Sequence, residues 1–105
     1  METDTSYKEI FKLKKLLEDN NILFSFNSLY DGYQILYQKS DNTEASVIEH
    51  FASYGNKEDL LEIMGLLTDK ELQEEEVLGY LTAEDVFNRI KRDLRKWLLK
   101  KCLKV

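Results

Sequence analysis

Few residues in this chain have side chains suited to chemistry, and their spacing does not bring them together. His50 is the sole histidine, with Glu49 beside it and Tyr54 four positions on. A histidine held by a carboxylate is a common general acid–base pair. If residues 45–51 form a strand, though, adjacent side chains point to opposite faces, and Glu49 and His50 do not cooperate directly. A half-buried histidine with a backbone partner is the simpler expectation. Cys102 is the one cysteine. Lysines around it would lower a thiol pKa, but no base lies near it in sequence, and it cannot form an internal disulfide. One histidine and one cysteine without ligand spacing predict no metal site. A glycine-rich phosphate loop and a G-x-S-x-G elbow are both missing from the sequence. No catalytic residue is assigned and no cofactor is expected. Tyr30, Tyr33 and Tyr37, beside Phe24 and Phe26, have the makings of a ligand platform, but at this spacing sheet packing accounts for them.

The charged residues are more informative than the catalytic types. Residues 41–88 hold thirteen acidic side chains against two basic ones, Lys57 and Lys70, for a net charge of −11. Residues 89–105 hold eight basic side chains and one acid, Asp93, for a net charge of +7. The whole chain carries −5. Separation of this kind sets up a field that governs association more than fold. Glu71, Glu74, Glu75 and Glu76, followed by Glu84 and Asp85, are the candidate residues for docking a basic partner. The plainer alternative is a solvated acidic helix face, with Glu84 and Asp85 favouring a helix N-terminus. Arg92, Arg95 and Lys96 are the candidate nucleic-acid face. Against that stand the acidic remainder of the molecule, which opposes approach to a polyanion, and the lack of interleaved aromatic residues.

The elements that must position these residues follow from periodicity. The chain has 105 residues, 43% of them hydrophobic, which suits one domain over residues 1–105 with a real core. Thr5 or Asp4 can cap a first helix whose stripe is Tyr7, Ile10, Phe11, Leu13, Leu16 and Leu17; Asp19-Asn20-Asn21 ends it. The period then becomes two over Ile22, Phe24 and Phe26 and again over Tyr33, Ile35 and Tyr37. Between these runs Asp31-Gly32 offers the positive φ of a hairpin turn. Residues 45–51 read as a third strand. Gly55-Asn56 breaks the chain, and Leu60, Leu61, Ile63, Met64 and Leu67 suggest a short helix. Thr68 through Glu71 is a capping-box pattern that starts another turn or two, through Glu74, Glu75 and Glu76. Thr82 through Asp85 starts the longest helix, from about residue 83. Its apolar stripe of Val86, Phe87, Ile90, Leu94, Trp97 and Leu98 falls within about 120° of arc. Its last turn, with Leu99 and Leu103, leaves that face, so it frays or makes a second apolar contact such as a dimer seam. The expected fold class is α+β: an N-terminal helix, a three-stranded antiparallel meander, and two or three C-terminal helices packed on one face.

Several stretches resemble a family of small proteins of unassigned activity carried by phages and prophages of Gram-positive bacteria. They are Tyr30-Asp31-Gly32-Tyr33-Gln34-Ile35, Ser46-Val47-Ile48-Glu49-His50, Ser53-Tyr54-Gly55, Glu58-Asp59-Leu60-Leu61-Glu62-Ile63-Met64-Gly65-Leu66-Leu67-Thr68 and Val77-Leu78-Gly79-Tyr80-Leu81-Thr82-Ala83-Glu84-Asp85-Val86-Phe87. Together they cover about residues 22–92. The resemblance implies an accessory protein at work inside a bacterial host cell, and it transfers no functional residue. With no leader-like run in METDTSYKEIFK and no apolar span, a cytoplasmic location without membrane partners is expected. The first functional expectation is a non-enzymatic protein, monomer or homodimer, that binds a basic protein surface in the manner of a host-defence inhibitor such as an anti-CRISPR. The alternatives are a nucleic-acid-associated protein using the C-terminal helix, and a small-ligand binder with its pocket between the aromatic hairpin and the helices.

Overall fold

The computed structural model describes the backbone of residues 7–103 and the side chains of residues 7–101. The expected caps Asp4 and Thr5 and the Cys102 thiol lie outside these. In chain order the elements are α1 (Glu9–Asp19), β1 (Ser25–Leu29), β2 (Gly32–Gln38), β3 (Glu44–Glu49), a 3-10 turn (Asn56–Glu58), β4 (Leu61–Met64), α2 (Asp69–Leu72), β5 (Val77–Leu81) and α3 (Ala83–Leu103). The strands form one antiparallel sheet in the order β1-β2-β3-β4-β5. The α+β class holds; among the described residues the three-stranded meander becomes five strands, and the helices number three.

A single register row explains the core. Phe26 faces Ile35, Ile35 faces Val47, Val47 faces Ile63 and Ile63 faces Leu78, one residue from each strand. Side chains two positions away on a strand share its face, so Tyr37, Ala45 and Leu61 join this row. Ile10, Leu13 and Leu17 of α1 and Val86 and Ile90 of α3 close over it, all fully buried. The opposite face of the sheet carries Gln34, Ser46 and Met64, with Gln34 donating to Ser46 Oγ at 3.1 Å and Met64 exposed.

Three expectations need correction. The helix read from Leu60 to Leu67 is β4: Leu61 and Ile63 are buried, while Glu62 and Met64 between and after them are not. Gly65 (φ 84°) and Leu66 (φ 64°) end it in left-handed conformations that no helix continues through. Second, the turn begun at Thr68 stops at Leu72 and leaves Glu74, Glu75 and Glu76 outside any helix. Third, the hairpin's positive φ belongs to Tyr30 (56°) and not to the Asp31-Gly32 step. Gly32 is required for a different reason: a Cβ there would lie 1.9 Å from the Glu49 carbonyl oxygen.

Helix ends are tied by side chains distant in sequence. No residue of α1's own N-cap serves it. Instead the N–H groups of Lys8 and Glu9 donate to Asp59 Oδ1 at 2.8 and 3.0 Å, and that of Ile10 donates to Glu49 Oε1 at 3.1 Å. Glu9 in turn accepts the Ala83 N–H at 2.6 Å, at the start of α3. Thr82 and Asp85 complete that terminus reciprocally, each side chain accepting the other's N–H at 3.1 Å.

Candidate interaction surfaces

The acidic candidates divide by environment. Glu71 is engaged: its two oxygens receive Arg89 Nη1 and Nη2, each at 2.8 Å, and Oε1 also accepts the Thr68 N–H. The Arg89 guanidinium holds this carboxyl down to about 2. Arg89 also donates to the Leu66 carbonyl at 2.9 Å, so the pair fastens α3 to the β4–α2 turn. Glu74, Glu75 and Glu76 are exposed in the connection into β5 and make no ion pair among the described residues. Glu84 is exposed on the first turn of α3, and Asp85 beside it is occupied in capping Thr82. Apolar side chains adjoin this acidic stretch along the chain. Leu72 is 54% exposed and Tyr80 61% exposed, and Met64 is exposed opposite Val77 in the register. Tyr80 stands out because β5 bulges: Leu78 faces Ile63 and Leu81 faces Leu61, so three steps on β5 match two on β4.

The basic candidates divide as well. At 100° per residue, Arg89, Arg92, Lys96 and Lys100 fall on one flank of α3, and Arg95 points away from the core. Arg92 and Lys96 line a hollow of about 250 Å³ with Lys39, Thr68 and Arg89; Arg95 does not. Asp93, which enters the charge count only as the lone acid of residues 89–105, lies at the border of the apolar arc. It is buried, and accepts from Tyr37 Oη (2.7 Å), Ser40 N–H (3.0 Å) and Ser40 Oγ (2.9 Å). Burial and this neighbouring carboxylate push the Tyr37 hydroxyl pKa up. The signal for Asp93 was present, since a lone acid on an apolar face needs partners.

His50 and Glu49 do not form a catalytic pair. His50 Nδ1 accepts the Ala52 N–H at 3.0 Å, and its ring packs against Tyr30 and Phe51. Glu49 is buried on the inner face, capping α1. Burial, reinforced by the Asp59 and Glu9 carboxylates, pushes its pKa up to about 9. A side-chain hydrogen bond to Asp59 accompanies the shift. Neither this carboxyl nor His50 lines either of the two hollows described here. Among the described residues no group of three His, Cys, Asp or Glu side chains is placed to hold a metal ion. Nor is any helix long and apolar enough to cross a membrane.

The larger hollow, about 810 Å³, is an open groove between α1 and the start of α3. Phe11, Leu16, Tyr33 and Ala83 supply its apolar wall, and Lys8, Lys12 and Lys15 its rim. Phe11 meets Phe26 and Tyr33 with ring centroids at 5.4 and 4.8 Å, so Tyr33 of the hairpin serves both as packing and as lining. A second aromatic group, exposed Tyr30 and Phe51 at 5.9 Å around His50, sits where the β1–β2 turn meets the end of β3. Comparison with protein-family models, with curated proteins and with solved structures finds no match for this chain.

Proposed function

We propose that this chain is a non-enzymatic interaction protein that recognises a basic surface on a protein partner through its acidic flank. The observation that carries the reading is that Glu74, Glu75, Glu76 and Glu84 stand exposed and without ion-pair partners among the described residues. Among the described residues, Glu71 is the member of the candidate set that is ion-paired with a cation of the C-terminal helix. Leu72, Tyr80 and Met64 offer apolar contact area beside these carboxylates; interfaces of this kind combine a few apolar or aromatic anchors with a charged rim. The acids would steer encounter and set specificity, and the anchors would set residence time. The resemblance to phage and prophage proteins directs the search for the partner to a bacterial host, where a basic surface of a defence nuclease is one candidate.

The test is capture from host lysate by the wild-type chain and by E74K/E75K/E76K, read by mass spectrometry at low and high salt. The expected result is a protein held by the wild type at low salt, weakened by salt, and lost with the triple variant. An identical captured set for both chains would remove the acidic flank from the account. A second reading, small-ligand binding, is favoured by the 810 Å³ groove beside Phe11 and Tyr33. It predicts a ligand-dependent rise in melting temperature that Tyr33→Ala abolishes.

A further inference from the structure

The smaller hollow has a composition that the acidic-flank reading does not use. Arg89, Arg92 and Lys96 reach it from one flank of α3, Lys39 from the connection between β2 and β3, and Thr68 from the start of α2. Arg89 is a fixed wall, neutralised by Glu71 and anchored on the Leu66 carbonyl. The other cations are not satisfied in this way. Arg92 and Lys96 are exposed, one helical turn apart, with no ion-pair partner among the described residues. Like charges at that spacing repel, so the arrangement is unfavourable until an anion joins it. Lys39 has only a long contact, 3.6 Å, with Asp41 Oδ2 at the surface.

Two carboxylates also line the space, and their states matter. Asp93 is turned toward Tyr37 and Ser40, which already donate three hydrogen bonds to it. Asp69 is exposed and offsets part of the charge of Arg92, Lys96 and Lys39, of which Lys39 is already ion-paired with Asp41. The Thr68 hydroxyl accepts the Glu71 N–H at 3.2 Å, which leaves its own proton available to donate. What remains is a guanidinium fork, two ammonium groups and a hydroxyl around a space of about 250 Å³. A planar fork suits two oxygens of a tetrahedral anion, and mobile ammonium groups suit the remaining charge.

We propose that this hollow binds a phosphate group, with Arg92, Lys96 and Lys39 as its charged donors and Thr68 as a neutral one. The group belongs either to a small phosphorylated molecule or to a nucleic-acid backbone; both present the same chemistry to these side chains. The site lies on the basic flank of α3 and stands independently of the acidic-flank reading, so failure of either leaves the other intact.

The test titrates the ¹⁵N-labelled chain with inorganic phosphate, adenosine monophosphate and a mixed-sequence DNA duplex in turn, at constant ionic strength, following backbone amide shifts. Saturable shifts centred on Lys39, Thr68, Arg92 and Lys96 are expected with at least one of the three. R92E/K96E should weaken that binding by about tenfold or more, and R95E, on the same helix but outside the hollow, by less than about twofold. Tighter binding of the mononucleotide than of the duplex identifies a small ligand, and the reverse order identifies nucleic acid. Absence of saturation with all three probes, or equal weakening by R95E and R92E/K96E, would overturn the proposal. All three positions are exposed, so the substitutions leave the core untouched.

Discussion

Glu49 is held away from water beneath the first turn of α1, hydrogen-bonded to Asp59 and with Glu9 near it. Its carboxyl keeps a proton in the folded state up to about 9, while in the unfolded chain it titrates near 4.5. The folded state thus binds the extra proton between those values, and stability falls as pH rises through that window. Glu49→Gln keeps an acceptor for the Ile10 N–H and removes the titration. It should stabilise the protein by about 1–3 kcal/mol near pH 7 and flatten the decline, as measured by denaturant unfolding at several pH values. An unchanged pH slope would show that Glu49 does not titrate in this way. Glu71 behaves oppositely. Arg89 holds its pKa at about 2, so its contribution is complete above 4.5 and lost as pH falls toward 2. Gly32 is governed by space alone. Gly32→Ala drives a methyl group into the Glu49 carbonyl and should cost about 2–3 kcal/mol, visible as a lowered unfolding midpoint.

Among the elements, those with one clean period were legible from sequence. The α1 stripe, β2 and the capped start of α3 lie where the residues indicate, whereas β1 begins only at Ser25, after Ile22 and Phe24, and runs on through Leu29. α3 stays helical through Leu103, and Leu98 and Leu99 on its last turns are each 63% exposed. Leu60-Leu61-Glu62-Ile63-Met64, which contains β4, is short and densely apolar and suits either period; the edge of β3 decides it by tertiary contact. β5 escaped notice because its bulge at Gly79 and Tyr80 breaks the alternation at mid-strand. The candidate site was legible only as composition. Sequence placed Glu71 with its acidic neighbours, but the Arg89 pairing spans eighteen positions and needs the fold. It likewise gave no sign that α1 is capped by Asp59, fifty positions away. Asp59→Ala should orphan the Lys8 and Glu9 N–H groups and cost about 1–2 kcal/mol. Hydrogen exchange should then quicken at the first turn of α1 well before the sheet; uniform exchange would contradict this cap.

Over the whole molecule, charge is separated along the chain. The exposed acids of the α2–β5 connection and the α3 start belong to one segment, and the cations of the later α3 turns to another. Arg89–Glu71 is the one ion pair among the described residues that joins them. The internal cations therefore leave most of the acidic set unneutralised, and a segment of formal charge −11, less the protonated Glu49, retains a field able to speed association with a positive partner. The most direct measurement is the association rate with the captured partner as a function of ionic strength, for the wild type and for E74K/E75K/E76K. The account predicts a steep fall with added salt for the wild type, and at low salt a rate lowered by about tenfold or more in the variant. A rate that is indifferent to salt and unchanged by the three reversals would contradict it.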